Sequence, residues 1–393
     1  MKKKEEPVGM SESSIRVLVV GPHPPPTGGI ATVVRNVLSI DFGSNIETRL
    51  FDVREFKRPS NVVYRVLNRI SSRLPPSGVW ALVTRYLLCA FREALADYQP
   101  HVVHIHASHG YGFWSAAPMM QVAKAAGAKV IFHSHGSSMD VFYDGLSSSA
   151  QAYYRRCLAR ADLVIALSEA WYGWFSQFVT ETQLDVLPNC IDWSKFQRGN
   201  PGRVAAPPKV LFVGVMFGAR KGIHDLIAVV PQVLDVHPDA RFVLVGSDDE
   251  EVEMTMQVDA RTRAALDFTG NLDQEGVAQA YADATCFVLP AYHEGMPMVM
   301  LESMAAGAPN ICTAINAIPE VITHEQNGLL LEPGDQDALA AHILRLLGDA
   351  AFREKIGEAG RDFIEERHNL ARQQGWLSEI YTRITEGRGS RRS

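Results

Sequence analysis

Cys286-Phe-Val-Leu-Pro290-Ala-Tyr-His-Glu294-Gly-Met-Pro297-Met-Val-Met-Leu-Glu302-Ser-Met-Ala-Ala-Gly307 is the stretch around which the chain is organised. Cys286 to Pro290 is a short apolar run suited to a buried strand. Pro297 suits the first turn of a helix over about Met298 to Ala306, because its fixed φ fits there and its missing N–H would have no partner. Glu294 then falls on the connecting loop, and Glu302, eight positions on, falls one turn inside the helix. Gly295 permits close backbone approach to a ligand. The free N–H groups of Met298 and Val299 at the helix start favour an anion such as phosphate. A loop carboxylate that accepts from sugar hydroxyls and a helix carboxylate that grips a ribose diol would both stay ionised. The same residues also read as a plain strand, loop and helix with two solvated glutamates, so the surrounding chain has to decide.

Upstream, the same unit recurs. Lys209 to Gly214 is a strand, Gly222 to Val236 a helix, and the connection Val215-Met-Phe-Gly-Ala-Arg220-Lys221-Gly222 puts two cations at a glycine-marked helix start. With the helix N–H groups, Arg220 and Lys221 form a suitable receptor for a diphosphate. Alone, they are also ordinary surface charges. Further strands at Arg241 to Gly246, about Asp267 to Thr269 and Cys286 to Leu289 complete an α/β half. Asp248-Asp-Glu250, in a polar run after a strand, reads as solvated acid rather than a metal site.

The first half opens in kind. Ile15 to Val20 is a strand, Gly21-Pro-His-Pro-Pro-Pro-Thr-Gly28-Gly29 a loop, and Ile30 to about Ile40 a helix. This is neither a GxGxxG fingerprint nor a loop with a Walker lysine, which argues against a dehydrogenase or a P-loop enzyme. Gly28 and Gly29 either let backbone amides touch a phosphate or sugar or simply turn the chain. Strands at Val102 to His106 and Lys129 to His133 flank a helical stretch from Trp114 to Ala126, the alternation of a parallel sheet with crossover helices. The second ends in His133-Ser-His135-Gly136, so His135 sits at a C-terminal strand edge, where open α/β sheets place ligands. The cluster His101, His104, His106, His109, His133 and His135 shows i, i+2 spacing with no acidic partner, which favours structural or sugar-contacting histidines over metal ligands. Asp162 to Leu167 is another strand, and Arg198 to Pro208 has the composition of a linker.

Between Arg54 and Arg92, eight arginines and lysines face one acid, Glu55. Val63, Val66, Leu67 and Ile70 share a helical face while Arg58, Arg65, Arg69 and Arg73 occupy other sides. That pattern fits a helix lying on an anionic membrane surface and, equally, a core-packed helix with a solvated basic face. The overall net charge of −6 argues against general nucleic-acid binding. The five cysteines form no CxxC pair, so neither a zinc site nor a disulfide framework is signalled. No stretch has signal-peptide or membrane-spanning character. A cytoplasmic protein is expected, with the basic stretch as its candidate membrane contact.

In their shared order these residues resemble glycosyltransferase family 4, retaining enzymes of the GT-B fold, whose Glu-x7-Glu pair is matched by Glu294 and Glu302. Supporting matches are Gly28-Gly29, His135-Gly136, Pro188-Asn189, Lys221-Gly222, Thr269-Gly270, Gly295, Met304-Ala-Ala-Gly307-Ala-Pro309, Pro319-Glu-Val and Asn327-Gly-Leu. The resemblance implies an α/β protein with two Rossmann-like parallel-sheet domains facing a central cleft. Residues 1–200 would bind the acceptor, residues 201–367 the nucleotide-sugar donor, and 368–393 would form a helix and tail crossing back to the first domain. By position, Glu302 would hold the ribose, Lys221 the diphosphate, Glu294 the donor-sugar hydroxyls and His135 the sugar near its reacting face. Gly214 and the Gly270-Asn271 loop would complete the donor wall, the loop meeting the base through its backbone. Two departures stand out: Val215 replaces an arginine that many relatives use for the diphosphate, with Arg220 as its candidate substitute, and Cys190 replaces a glycine after Asn189.

The resemblance further implies transfer with retention of configuration and without metal or other cofactor. As the glycosidic bond breaks, negative charge grows on the diphosphate, and Lys221, Arg220 and the helix start near Met298 are placed to stabilise it. The expected partners are a nucleotide sugar, UDP-linked, and a glycan or lipid-linked acceptor of cell-surface glycan synthesis. The alternatives are a GT-B nucleotide-sugar epimerase or sugar phosphorylase and a non-catalytic sugar-nucleotide-binding protein.

Overall fold

The computed structural model describes residues 14–24, 28–54, 76–196, 207–214, 219–246 and 258–387. Their strands form two parallel six-stranded sheets. The first contains β1 (Ile15–Gly21), β2 (Ile46–Asp52), β3 (Val102–Ala107), β4 (Lys129–Ser134), β5 (Leu163–Ala166) and β6 (Leu184–Val186), in the order β2-β1-β3-β4-β5-β6. The second contains β7 (Lys209–Val213), β8 (Arg241–Val245), β9 (Leu266–Gly270), β10 (Cys286–Leu289), β11 (Asn310–Thr313) and β12 (Leu329–Leu331), in the order β12-β11-β10-β7-β8-β9. Helices cover both sheets, so central strands such as β3 and β10 are buried at every position; β10 reads as an unbroken apolar run, and β3 as one interrupted by His104 and His106. The edge strand β2, Ile-Glu-Thr-Arg-Leu-Phe-Asp, alternates with polar residues, and sequence pattern alone assigns no strand there. The short strands β11 and β12 escape for the opposite reason, being too brief to separate from buried coil.

Each sheet has one topological switch point. In the first, β1 is flanked by β2 and β3; in the second, β7 is flanked by β8 and β10. A crevice opens beyond the C-terminal strand ends at such a point.

The end of the chain ties the two halves together. After the helix Ala350–Arg367, which packs on the helix Met298–Ala305, the helix Leu370–Thr385 runs back to touch β1. Asn369 caps it by accepting from the Arg372 N–H at 2.8 Å. Ile191 bridges to Asn369, and the His368 ring lies 2.9 Å from the Asn189 carbonyl, so the two passages between the halves run side by side. The returning helix then puts the Tyr381 hydroxyl 2.8 Å from His104 Nδ1 and lets Arg383 Nη2 donate to Asp185 Oδ2 at 2.7 Å. Among the described residues no helix is long and apolar enough to cross a membrane.

The Arg383 and Asp185 side chains are only 11% and 9% exposed, so removing one partner strands a buried charge. Asp185→Ala should cost ~3–5 kcal/mol and lower Tm, while the double replacement Asp185→Leu with Arg383→Met should recover most of it. Thermal unfolding of the full chain checks this, and equal Tm values for the single variant and the parent would refute it.

Candidate active site

The two switch points face each other across a cleft of about 460 Å³. Its second-sheet wall is made by two neighbouring connections. The Tyr292 N–H donates to the Arg220 carbonyl at 2.9 Å, which holds the Arg220-Lys221 turn beside the loop after β10. Gly222 makes that packing possible: its φ is +73°, and a Cβ there would overlap the Pro290 carbonyl. The helix Met298–Ala305 starts after Pro297 as expected. It ends in a Schellman turn, with the Ala308 N–H on the Ser303 carbonyl, the Gly307 N–H on the Met304 carbonyl, and Gly307 at φ +77°.

On this frame the candidate residues converge. Lys221 Nζ donates to Glu294 Oε1, and the two side chains are 15% and 11% exposed. Asn316 fixes the loop by donating to the Glu294 carbonyl at 2.5 Å. Glu302, Met298, Val299, Gly214 and Asn271 line the same cleft, as does Gly295. A Cβ on Gly295 would stand 3.6 Å from the Gly136 carbonyl and 3.8 Å from that of His135, so its close approach is to the opposite domain as well as to the cleft. From the first domain come Gly28, Gly29 and His135. Gly28 and Gly29 have open space where a Cβ would stand, at the start of the helix Gly29–Leu38. Gly270 is the exception: it lies outside the cleft lining, at the end of β9, where its carbonyl accepts from the Gly246 N–H at 2.8 Å. Position 215, the acids 248–250 and the cations Arg58, Arg65, Arg69 and Arg73 lie outside the described residues. Arg220 itself lines the cleft and donates to Ser137 Oγ at 3.1 Å across the domain boundary.

The expected ionisation of Glu302 is opposed by its surroundings. Burial pushes the Glu302 carboxyl up to about 7, against the smaller opposing pulls of the Tyr281 hydroxyl and Arg35. Tyr281, itself fully buried, donates to Glu302 Oε2 at 3.3 Å. Burial also pushes the His135 imidazole down to about 3, so it is neutral at physiological pH. Sequence reasoning missed Arg35, whose Nη1 donates to Gln274 Oε1 at 3.3 Å across the cleft. Asn189, noted only as a match to the family, donates through Nδ2 to the Met296 carbonyl at 2.9 Å. The signal for Arg35 was the one charged residue of the helix Gly29–Leu38, spaced four and seven residues after Ala31 and Gly28, which marks the face the glycines present.

A larger hollow, about 930 Å³, opens at the N-terminal ends of β1, β3 and β4 beside Ile15, His101 and Lys129. It holds none of the candidate donor-binding residues and lies at the opposite end of the sheet from the ligand crevice such folds use.

Comparison with known proteins follows the same division of the chain. Residues 9–190 match the family described as glycosyl transferase 4-like domain, and residues 207–349 match the one described as glycosyl transferases group 1. The GDP-mannose-dependent monoacylated alpha-(1-6)-phosphatidylinositol monomannoside mannosyltransferase of Corynebacterium glutamicum is 27% identical over 377 residues, covering 91% of this chain and 94% of that protein. The N-acetyl-alpha-D-glucosaminyl L-malate synthase of Bacillus anthracis is 24% identical over 78% of this chain and 79% of its own length. Among solved structures, sucrose-phosphate synthase from Thermosynechococcus elongatus aligns with a TM-score of 0.70 at 21% identity, over 95% of this chain and 100% of that one. HepE of Anabaena in complex with UDP aligns with a TM-score of 0.70 at 17% identity, over 94% and 100%. At such identities these two structures establish the shared GT-B fold.

The Tyr281 contact makes a prediction that needs no substrate. Its hydroxyl stabilises the Glu302 anion, so Tyr281→Phe should move the Glu302 midpoint further above about 7. Carboxyl 13C shifts in the labelled protein report this, and an unchanged or lowered midpoint would contradict it.

Proposed function

Because this chain belongs to glycosyltransferase family 4, we propose that its cleft transfers a sugar, with retention, from a nucleoside-diphosphate donor to an acceptor hydroxyl in cell-surface glycan or lipid-linked precursor synthesis. The observation that carries the reading is convergence. Lys221, Arg220, Glu294 and Glu302 line one cleft with the start of the helix Met298–Ala305 and with Gly28, Gly29 and His135 from the facing domain.

Glu302 lies inside the helix, where its carboxylate accepts the two ribose hydroxyls. The diphosphate lies over the helix N–H groups with Lys221 and Arg220 as counter-charges. Lys221 reaches it by giving up part of its bond to Glu294, which frees that carboxylate to accept donor-sugar hydroxyls. Neutral His135 contributes a hydrogen bond near the reacting carbon. These groups stabilise the negative charge that develops on the departing diphosphate. On the face it leaves, a phosphate oxygen takes the acceptor proton, so no side-chain nucleophile and no metal enters the scheme.

The donor base is the open half of this reading. UDP is the first candidate, and the Corynebacterium relative, GDP-mannose-dependent by name and similar over nearly the whole chain, supports GDP-mannose as the second. The lipid-linked acceptor takes support from the same name, which specifies a monoacylated phosphatidylinositol.

A panel of UDP-glucose, UDP-galactose, UDP-N-acetylglucosamine and GDP-mannose, read by thermal stabilisation and by nucleotide release with lipid extracts as acceptor, tests the proposal. The true donor, at a hundred times its Kd, should stabilise the fold by ~2.7 kcal/mol and release nucleotide. Stabilisation without release would favour a binding protein, and a product formed without acceptor would favour an epimerase. Lys221→Met should lower kcat/KM by ~10²–10³. A rate within twofold of the parent would remove Lys221 from the diphosphate site.

A further inference from the structure

The i, i+2 spacing of histidines on two neighbouring strands puts four imidazoles on one face of the first sheet, with His106 and His133 opposite each other in the β3–β4 register. They stack: His104 on His106 with centroids 4.2 Å apart, and His106 on His135 at 5.2 Å. Two hydrogen-bonded chains run through the stack. In one, the Tyr381 hydroxyl lies 2.8 Å from His104 Nδ1, and His104 Nε2 lies 3.2 Å from His133 Nδ1. In the other, His106 Nδ1 lies 2.9 Å from His135 Nε2. The nitrogens of His104, His106 and His133 are close enough to hold an ion. However, both nitrogens of His104 are already engaged by Tyr381 and His133, which favours hydrogen bonding over ligation.

The His106–His135 bond contains one proton, and burial decides whose it is. His106 is 3% exposed, and among the described residues its Nε2 has no hydrogen-bond partner. Were His135 the donor, neutral His106 would carry its own proton on that partnerless nitrogen, leaving a buried N–H unsatisfied. With His106 as donor through Nδ1, its Nε2 is a bare lone pair, the less costly orphan. His135 must then keep its proton on Nδ1, the ring nitrogen left for the donor cleft.

We propose that His106 is a positioning residue that locks His135 in the Nδ1–H tautomer, so that His135 meets the donor sugar as a hydrogen-bond donor and never as a general base. The tautomer stands on geometry alone, whereas its use rests on the transferase reading above.

Long-range 1H–15N correlation spectra of the full chain carrying 15N-histidine, with His135 assigned by its loss in His135→Asn, read the tautomer directly. The parent should show His135 protonated on Nδ1 and bare at Nε2. His106→Asn, whose side-chain amide can donate in place of Nδ1, should keep that pattern and retain kcat within about threefold. His106→Leu should shift His135 towards Nε2–H and lower kcat by about 10- to 100-fold at little change in donor KM. A parent spectrum with the proton on Nε2 would overturn the assignment, as would identical spectra and rates for the Asn and Leu variants or stoichiometric zinc bound to the rings. Should the parent show the expected tautomer while no nucleotide sugar is turned over, the transferase reading fails and the tautomer stands.

Discussion

The Lys221–Glu294 ion pair is the contact around which the cleft is arranged. Two opposite charges held this far from solvent are costly to separate, because each would be left without its neutralising neighbour. In the proposed transfer a polyanionic donor would separate them, its phosphate oxygens taking over Lys221 while its hydroxyls take over Glu294, so that neither charge is bare. The geometry that brings the pair together is backbone packing. The Tyr292 amide on the Arg220 carbonyl and Gly222 against Pro290 force the two loops into register. The cleft is therefore preorganised by backbone packing.

Around that pair the chemistry is divided by burial. Glu294 is tied to the Lys221 cation, whereas Glu302 lies over Tyr281, where burial raises its affinity for a proton. Neutral His135 completes a set in which charge is supplied almost wholly from the second domain. The first domain contributes amides, imidazoles and Arg35, which spans the gap to Gln274. The boundary beside the site is held by Arg220 on Ser137 and Asn189 on Met296.

Much of this could be read from residue order. The strand, loop and helix from Cys286 to Gly307 have the predicted form because Pro297 and Gly307 bracket the helix through local backbone preferences, which act without tertiary context. Helix starts at Gly29 and Ile223 were legible for the same reason, whereas the returning terminal helix was expected only from the family resemblance. The illegible parts depend on distant neighbours. Strand β2 is specified by pairing to β1 rather than by its own composition. The raised affinity of Glu302 for its proton comes from burial that no spacing encodes. Gly270, named for its match to the family, stands at the end of β9, one residue before Asn271 enters the cleft lining. The four-imidazole stack needed the β3–β4 register before six scattered histidines could be sorted into partners.

The returning helix has a consequence for how the protein is made. His104 and Asp185, buried in the first sheet, find Tyr381 and Arg383 only near the end of the chain. A nascent first domain leaves the ribosome with a charged carboxylate and an imidazole stack uncovered. At about 5–20 residues per second, roughly 200 residues of further translation keep them so for on the order of ten to forty seconds. Over that interval the newborn domain lacks its own lid, and a truncated message would yield a sheet that never acquires one.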